Sequence, residues 1–176
     1  MEEDQGIRIY NNIITDFEVG LVLDSSGRGA NDVTISNNTL ARSVNPASET
    51  NCIRGEVGPL LNTLAFNNIC AYLTNTVGPL VDWAPSTSVL TLLDHNVYYD
   101  GGEEPHFTEL GVRYTGLGPW QTATGMEQSS VVADPQFVNA AQNDLHLQAG
   151  SPANTAGMGQ TPAGAYVAGN EVIGHR

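Results

Sequence analysis

The sequence predicts an all-β chain wound as a solenoid of parallel strands, about four rungs long. Three observations carry this. A ten-residue phrase recurs: "IRIYNNIITD" from Ile7, "VTISNNTLAR" from Val33, "TLAFNNICAY" from Thr63 and "TLLDHNVYYD" from Thr91. Aligned on Asn12, Asn38, Asn68 and Asn96, the phrases lie 26, 30 and 28 residues apart. That period suits a solenoid, whereas propeller blades run longer, at ~40–50 residues. Finally, no segment sustains a 3.6-residue apolar period, which argues against helical repeats.

The phrase justifies each rung in turn. Two residues after the aligned Asn stand Ile14, Leu40, Cys70 and Tyr98. Three before it stand Ile9, Ile35, Ala65 and Leu93, and five before it Ile7, Val33, Thr63 and Thr91. Alternation on both sides of a polar corner lets every strand bury one face, with like residues stacked at ~4.8 Å from rung to rung. Asn tolerates the left-handed backbone that a two-residue corner demands. Its amide can also bond to the Asn of the next rung, forming a ladder. "GLVLDSS" (20–26), "NCIRGEV" (51–57) and "PLVDWAP" (79–85) supply a further strand in each rung. Residues 100–130 break the rhythm and are expected to fold over the side or end of the solenoid.

The bulk properties narrow the function. The chain has 176 residues, 40% hydrophobic and 14% charged, enough for one domain with a real core. Net charge is −13, and all six basic residues are Arg. No basic footprint for nucleic acid can be built, and anionic membrane is excluded likewise. An anionic polysaccharide is disfavoured unless a divalent cation such as Ca²⁺ bridges the charges. Neutral glycans, cations and proteins stay open. No apolar run approaches the ~20 residues that span a bilayer. The start, "MEEDQGIRIY", carries no signal peptide. The chain reads as cytosolic as written, or as a piece of a longer secreted protein with Met1 added. Cys52 and Cys70 make neither a disulfide framework nor a zinc motif, and buried free thiols are expected.

The "xIxNNxI" phrases resemble the repeats of right-handed parallel β-helix proteins, the pectate-lyase-like superfamily. "LDHNVYYDGG" followed by "GPWQTATGMEQSSVVADPQFVNAAQNDLHLQAGSPANTAGM" is similar to the closing segment of bacterial secreted β-helix repeat proteins. There, an Asn-Tyr-Tyr rung precedes a Trp-containing turn, an "ADPxFV" strand, a "DLHL" strand and "GSPAxxAG". The resemblance covers about residues 7–158. It implies a right-handed parallel β-helix with a C-terminal capping segment, in a secreted or cell-surface parent. Domain boundaries follow: rungs over 1–100, a loop and closing segment over 101–158, and a tail over 159–176 with a short strand at 165–168. In that family the closing segment ends a longer solenoid. The expectation is therefore a C-terminal piece, or a homo-oligomer in which another copy covers the uncapped first rung.

Glycan-acting members of the family place substrate along an outward sheet face. Burying Ile53 leaves Cys52 and Arg54 outward, and burying Val81 leaves Asp82 outward. Arg54 and Asp82 then lie on adjacent rungs, ~5 Å apart at Cα. They read as a catalytic or sugar-binding pair, or as a surface ion pair worth about 0–1 kcal/mol. The family's lyases use a Lys or Arg base with Ca²⁺ held by acidic residues. This chain has no Lys, Arg54 is the one Arg placed on that face, and no D-x-D-x-D loop is present. A glycosidase needs two carboxylates, for which Glu56, Asp82, Asp24, Glu103 and Glu104 are candidates. The catalytic candidates are thus Arg54, Asp82 and Glu56, with the metal undefined and Ca²⁺ open. His95 occupies an Asn corner slot and shares Asn's tolerance for positive φ. His106 has Glu103 and Glu104 nearby in sequence, and His146 lies in the closing motif. Trp83, Trp120, Tyr98, Tyr99 and Phe107 offer stacking faces for sugars, and Trp120 is also a candidate plug. Two functions follow: a carbohydrate-associated protein that binds or cleaves polysaccharide, or a structural, adhesive solenoid that self-associates.

Overall fold

The computed structural model describes residues 4–24, 30–43, 51–56, 60–72, 78–83 and 90–166. The described chain is predominantly β, built of parallel sheets in which each strand pairs with its equivalent one repeat later. Sheet A contains Asp4–Gln5, Ala30–Asn31 and Leu60–Leu61. Sheet B contains Arg8–Tyr10, Thr34–Ser36, Thr63–Phe66 and Leu90–Asp94. Sheet C contains Ile13–Phe17, Thr39–Ser43, Ile69–Tyr72, Val97–Asp100 and Val131–Val132. Sheet D contains Val19–Leu23, Asn51–Gly55, Val81–Trp83 and His106–Glu109, with Val112–Thr115 added antiparallel at its edge.

The expected columns are the register of the sheets. Ile9, Ile35, Ala65 and Leu93 are successive partners in sheet B, and Ile14, Leu40, Cys70 and Tyr98 in sheet C. In sheet D the inner column is Leu21, Ile53, Val81 and Phe107. These columns meet in one core, which Trp83 and Trp120 complete. Val33 and Thr63 are fully buried as the spacing predicts, whereas the side chain of Thr91 lies outside the described residues.

The B–C corner divides between its two residues the roles expected of one Asn. The first residue bends the chain: Asn11, Asn37, Asn67 and His95 have φ of 56°, 52°, 57° and 57°. His95 therefore substitutes for Asn as a corner residue. The second residue carries the ladder. The Nδ2 groups of Asn12, Asn38 and Asn68 donate to the Oδ1 of Asn38, Asn68 and Asn96 at 3.0, 3.0 and 3.1 Å. The backbone N–H of each donor residue joins the same oxygen. Asn38, Asn68 and Asn96 also donate to backbone carbonyls of the preceding rung, at Ile9, Ile35 and Ala65.

Residues 100–130 are more ordered than their composition suggests. His106–Glu109 and Val112–Thr115 form a hairpin through Leu110 and Gly111, both at positive φ. An α-helix, Leu117–Thr124, follows and lays Trp120 into the core, 5.4 Å from the Phe107 ring and 5.6 Å from Tyr114. The closing segment then clads the outer face of sheet C. Phe137–Asn139 and Asp144–Leu147 are strands, as the motif predicts, and they pair antiparallel. Phe137, Leu145, Ala153 and Ala163 pack against Ala41, Ile69, Ala71 and Val97. Gly164 permits the close approach. Its φ is +88°, and a Cβ there would stand 2.6 Å from Thr39 Oγ1 and 2.7 Å from Ile69 Cδ1. Of the strand expected at 165–168, residues 165 and 166 are not strand and 167–168 lie outside the described residues. No helix is long and apolar enough to cross a membrane among the described residues.

Candidate functional site

The sheet D face brings the sequence candidates together. Arg54 and Asp82 are direct register partners, as expected, and their column continues through Val22 on one side and Thr108 and Arg113 on the other. Arg54 Nε lies 3.2 Å from Glu56 Oε1 and 3.7 Å from Asp82 Oδ2. The spacing arises because Glu56 follows Arg54 by two residues and so shares its face, while Asp82 is one rung away. The Nε atom itself is buried and lacks a well-directed hydrogen bond, so both contacts are ion pairs by proximity. The three side chains remain partly open to solvent, at 34%, 34% and 19%. The face therefore offers one cation, two carboxylates, a hydroxyl at Thr108 and a second cation at Arg113. Arg113 escaped sequence reasoning because its strand is antiparallel and outside the repeat.

Several expectations are corrected. Cys52 does not face outward; it is fully buried. The strand is irregular there: the N–H groups of both Cys52 and Ile53 point to the Leu80 carbonyl, at 2.9 and 3.3 Å, so strict alternation fails. Trp83, Tyr98 and Phe107 are buried in the core and offer no sugar-stacking face, whereas Trp120 is buried there as the plug expected of it. Tyr98 and Phe107 meet edge-on at 5.0 Å instead. Tyr99 packs partly buried under the closing segment. His106 pairs with Thr115 Oγ1 at 3.2 Å, not with Glu103 or Glu104. Burial, with Arg113 nearby, holds the His106 imidazole below its usual range. Glu103 bridges to Asp100, and the Glu104 carboxylate lies against Gly116, ahead of the helix. Asp24 follows Leu23, the register partner of Gly55, and is exposed. His146 Nδ1 stands 2.6 Å from Asp144 Oδ1, and its ring stacks on Tyr166 at 4.1 Å.

Sequence reasoning also missed Glu127. It is fully buried at the end of the Asn ladder. Asn96, the last ladder amide, donates through Nδ2 to both Glu127 oxygens at 3.3 and 3.4 Å. Tyr98 Oη donates to Oε1 at 2.5 Å, and Ser130 Oγ donates to Oε2. Ser130 also accepts from the Asn96 backbone N–H at 2.8 Å, taking the place a fifth Asn would hold. The physical logic is directional. Each ladder amide passes a donor forward, so the last one needs an acceptor beyond it, which the Glu127 oxygens supply. Burial pushes the Glu127 carboxyl up to about 7, opposed by the bonds from Ser130, Tyr98 and Asn96. Burial likewise raises the Tyr98 phenol and the Cys70 thiol well above their usual values. The register explains the placement: Val131 pairs with Val97, which sets Ser130 in the Asn column beside Glu127.

Among the described residues, no group of three or more His, Cys, Asp or Glu side chains is placed to hold a metal ion. The arrangement shown is an all-β one of stacked parallel sheets with an internal amide ladder. Compared with known proteins, the chain matches no family model, no curated protein and no solved structure.

Proposed function

We propose that this chain is a right-handed parallel β-helix of about four rungs, of the pectate-lyase-like kind, which binds a neutral polysaccharide along sheet D. The observation that carries the reading is the register column Val22, Arg54, Asp82, Thr108 and Arg113. Polar groups repeated at ~4.8 Å along the stack suit an extended polymer of regular repeat. Guanidinium, carboxylate and hydroxyl groups side by side at Arg54, Asp82 and Thr108 suit hydroxyls, which both donate and accept. Arg is cationic in proteins, and two carboxylates face Arg54, an arrangement for holding hydroxyls more than for removing a proton. The net charge of −13 disfavours an acidic polymer, and a secreted or cell-surface setting fits such a ligand.

Affinity electrophoresis in gels cast with neutral glucans and mannans tests this. Retardation that Arg54→Ala and Asp82→Ala abolish is expected. Unretarded migration in every polymer sinks the reading. A reducing-end assay on the same polymers separates binding from cleavage.

A second reading has its own observation. The strands Arg8–Tyr10, Ile13–Phe17 and Val19–Leu23 pair on one side only among the described residues, and Tyr10, Ile13 and Val22 are exposed there. A structural solenoid that self-associates through this edge would run in light scattering as a dimer or larger. A monomer at all concentrations counts against it.

A further inference from the structure

We propose a second saccharide site on the outer face where sheets A and B meet, taking a run of neutral pyranose units. This rests on the carbohydrate reading above and extends it to another side of the molecule.

A concavity of about 480 Å³ opens there, lined by Arg8, Asp32, Thr34, Asn62 and Leu64. Its size falls within the ~300–1,000 Å³ of small-molecule sites. The backbone explains its shape. Gly6, Asp32 and Asn62 have φ of 73°, 58° and 50°, so successive repeats turn left-handed at the same place as the chain passes from sheet A to sheet B. Arg8, Thr34 and Leu64 are register partners, which makes a guanidinium, a hydroxyl and an apolar side chain the floor along the stack. Asp32 and Asn62 stand exposed at the rim, and the Asn62 amide is oriented by a 2.9 Å bond from Nδ2 to Asn31 Oδ1.

The lining identifies the ligand class. Guanidinium, carboxylate and carboxamide groups are planar, and each presents two polar atoms side by side. Such pairs match neighbouring ring hydroxyls. One cation and one anion leave the cavity nearly neutral, which disfavours a phosphate or a uronate. Two residues beyond the floor on the same face lies the column Tyr10, Ser36 and Phe66. Tyr10 is 58% exposed and Phe66 half-buried. Aromatic faces beside a polar cleft are what the apolar C–H face of a pyranose needs. They also supply the stacking surface that the buried Trp83 and Trp120 cannot.

The test titrates ¹⁵N-labelled protein with cellohexaose, mannohexaose and laminarihexaose, with calorimetry in parallel. Amide shifts are expected at residues 6–10, 32–36 and 62–66 with at least one sugar. Arg8→Ala and Tyr10→Ala should each weaken that binding by about tenfold or more, and Tyr10→Phe should retain it. Both positions are exposed, and the amide spectrum itself reports whether each variant folds. Shifts confined to the strands Asn51–Gly55 and Val81–Trp83 overturn this site and leave the sheet D reading standing. No shift with any of the three sugars overturns both.

Discussion

Glu127 accepts a 2.5 Å hydrogen bond from the Tyr98 hydroxyl in the interior of the protein, with both residues fully shielded from water. The pair closes the open end of the amide ladder. Its cost is a buried carboxyl with no cation paired to it among the described residues, and that makes stability depend on pH. The Glu127 carboxyl titrates at about 7 when folded, against an ordinary value of 4.5. A raised folded value means that the unfolded chain releases this proton first. The stabilisation is complete below 4.5, declines as pH rises, and is gone above about 7. The loss is on the order of 3 kcal/mol. Asp94 adds to the shift, and Tyr98 and Cys70 stay neutral across this window. Thermal melts of the wild type and Glu127→Gln between pH 4 and pH 8 check this. The wild type should lose ground to the variant as pH rises, and a constant difference would exclude the assignment.

The ladder predicts a gradient along its length. Asn68 is buried and bonds to both neighbouring amides and to the Ile35 carbonyl. Asn68→Ala should cost about 3–5 kcal/mol, because several buried donors and acceptors lose partners together. Asn12 is exposed at the other end, and Asn12→Ala should cost below about 1 kcal/mol. Urea unfolding of both variants decides whether burial sets the cost.

Gly55 is required by the residue stacked on it. A Cβ at this position would stand 2.9 Å from Trp83 Cε3 and 3.0 Å from Cδ2. The indole is buried and cannot swing clear, so Gly55→Ala should destabilise by about 1–3 kcal/mol. A shift of the urea midpoint with an unchanged slope is the expected signature.

Arg54 should matter little to folding. Its ion pairs with Glu56 and Asp82 are partly solvated, and exposed pairs contribute about 0–1 kcal/mol. Arg54→Ala should keep the melting temperature within a few degrees while losing polysaccharide retardation. A large drop in stability would instead make the cluster a structural clamp.

Trp120 seals the core from a helix that carries no other buried side chain. Trp120→Ala should cost about 3–5 kcal/mol and admit a hydrophobic dye. An undisturbed melt would mean that the hairpin alone closes the core.

The sequence by itself determined the repeat, the columns and the ladder. A period near 28 residues with apolar alternation on either side of Asn-Asn leaves few ways to pair strands, and register follows because a one-residue slip would expose every inner column. It also placed Arg54 opposite Asp82, since both lie one residue beyond an inner aliphatic. Tertiary structure alone decided the rest. Alternation assigned Cys52 to the surface, but an irregular strand turned it inward. Composition marked residues 100–130 as loop, but they form a hairpin and a helix, and it is the helix that delivers Trp120, a candidate plug from the sequence, into the core. The aromatic residues kept their apolar faces for the interior, where burial of a large ring contributes most. Glu127 showed no pattern in the chain, because its role comes from standing where the last ladder amide ends. Local periodicity encodes which residues stack. What terminates and clads a stack depends on contacts between segments far apart in sequence, and periodicity carries no record of those.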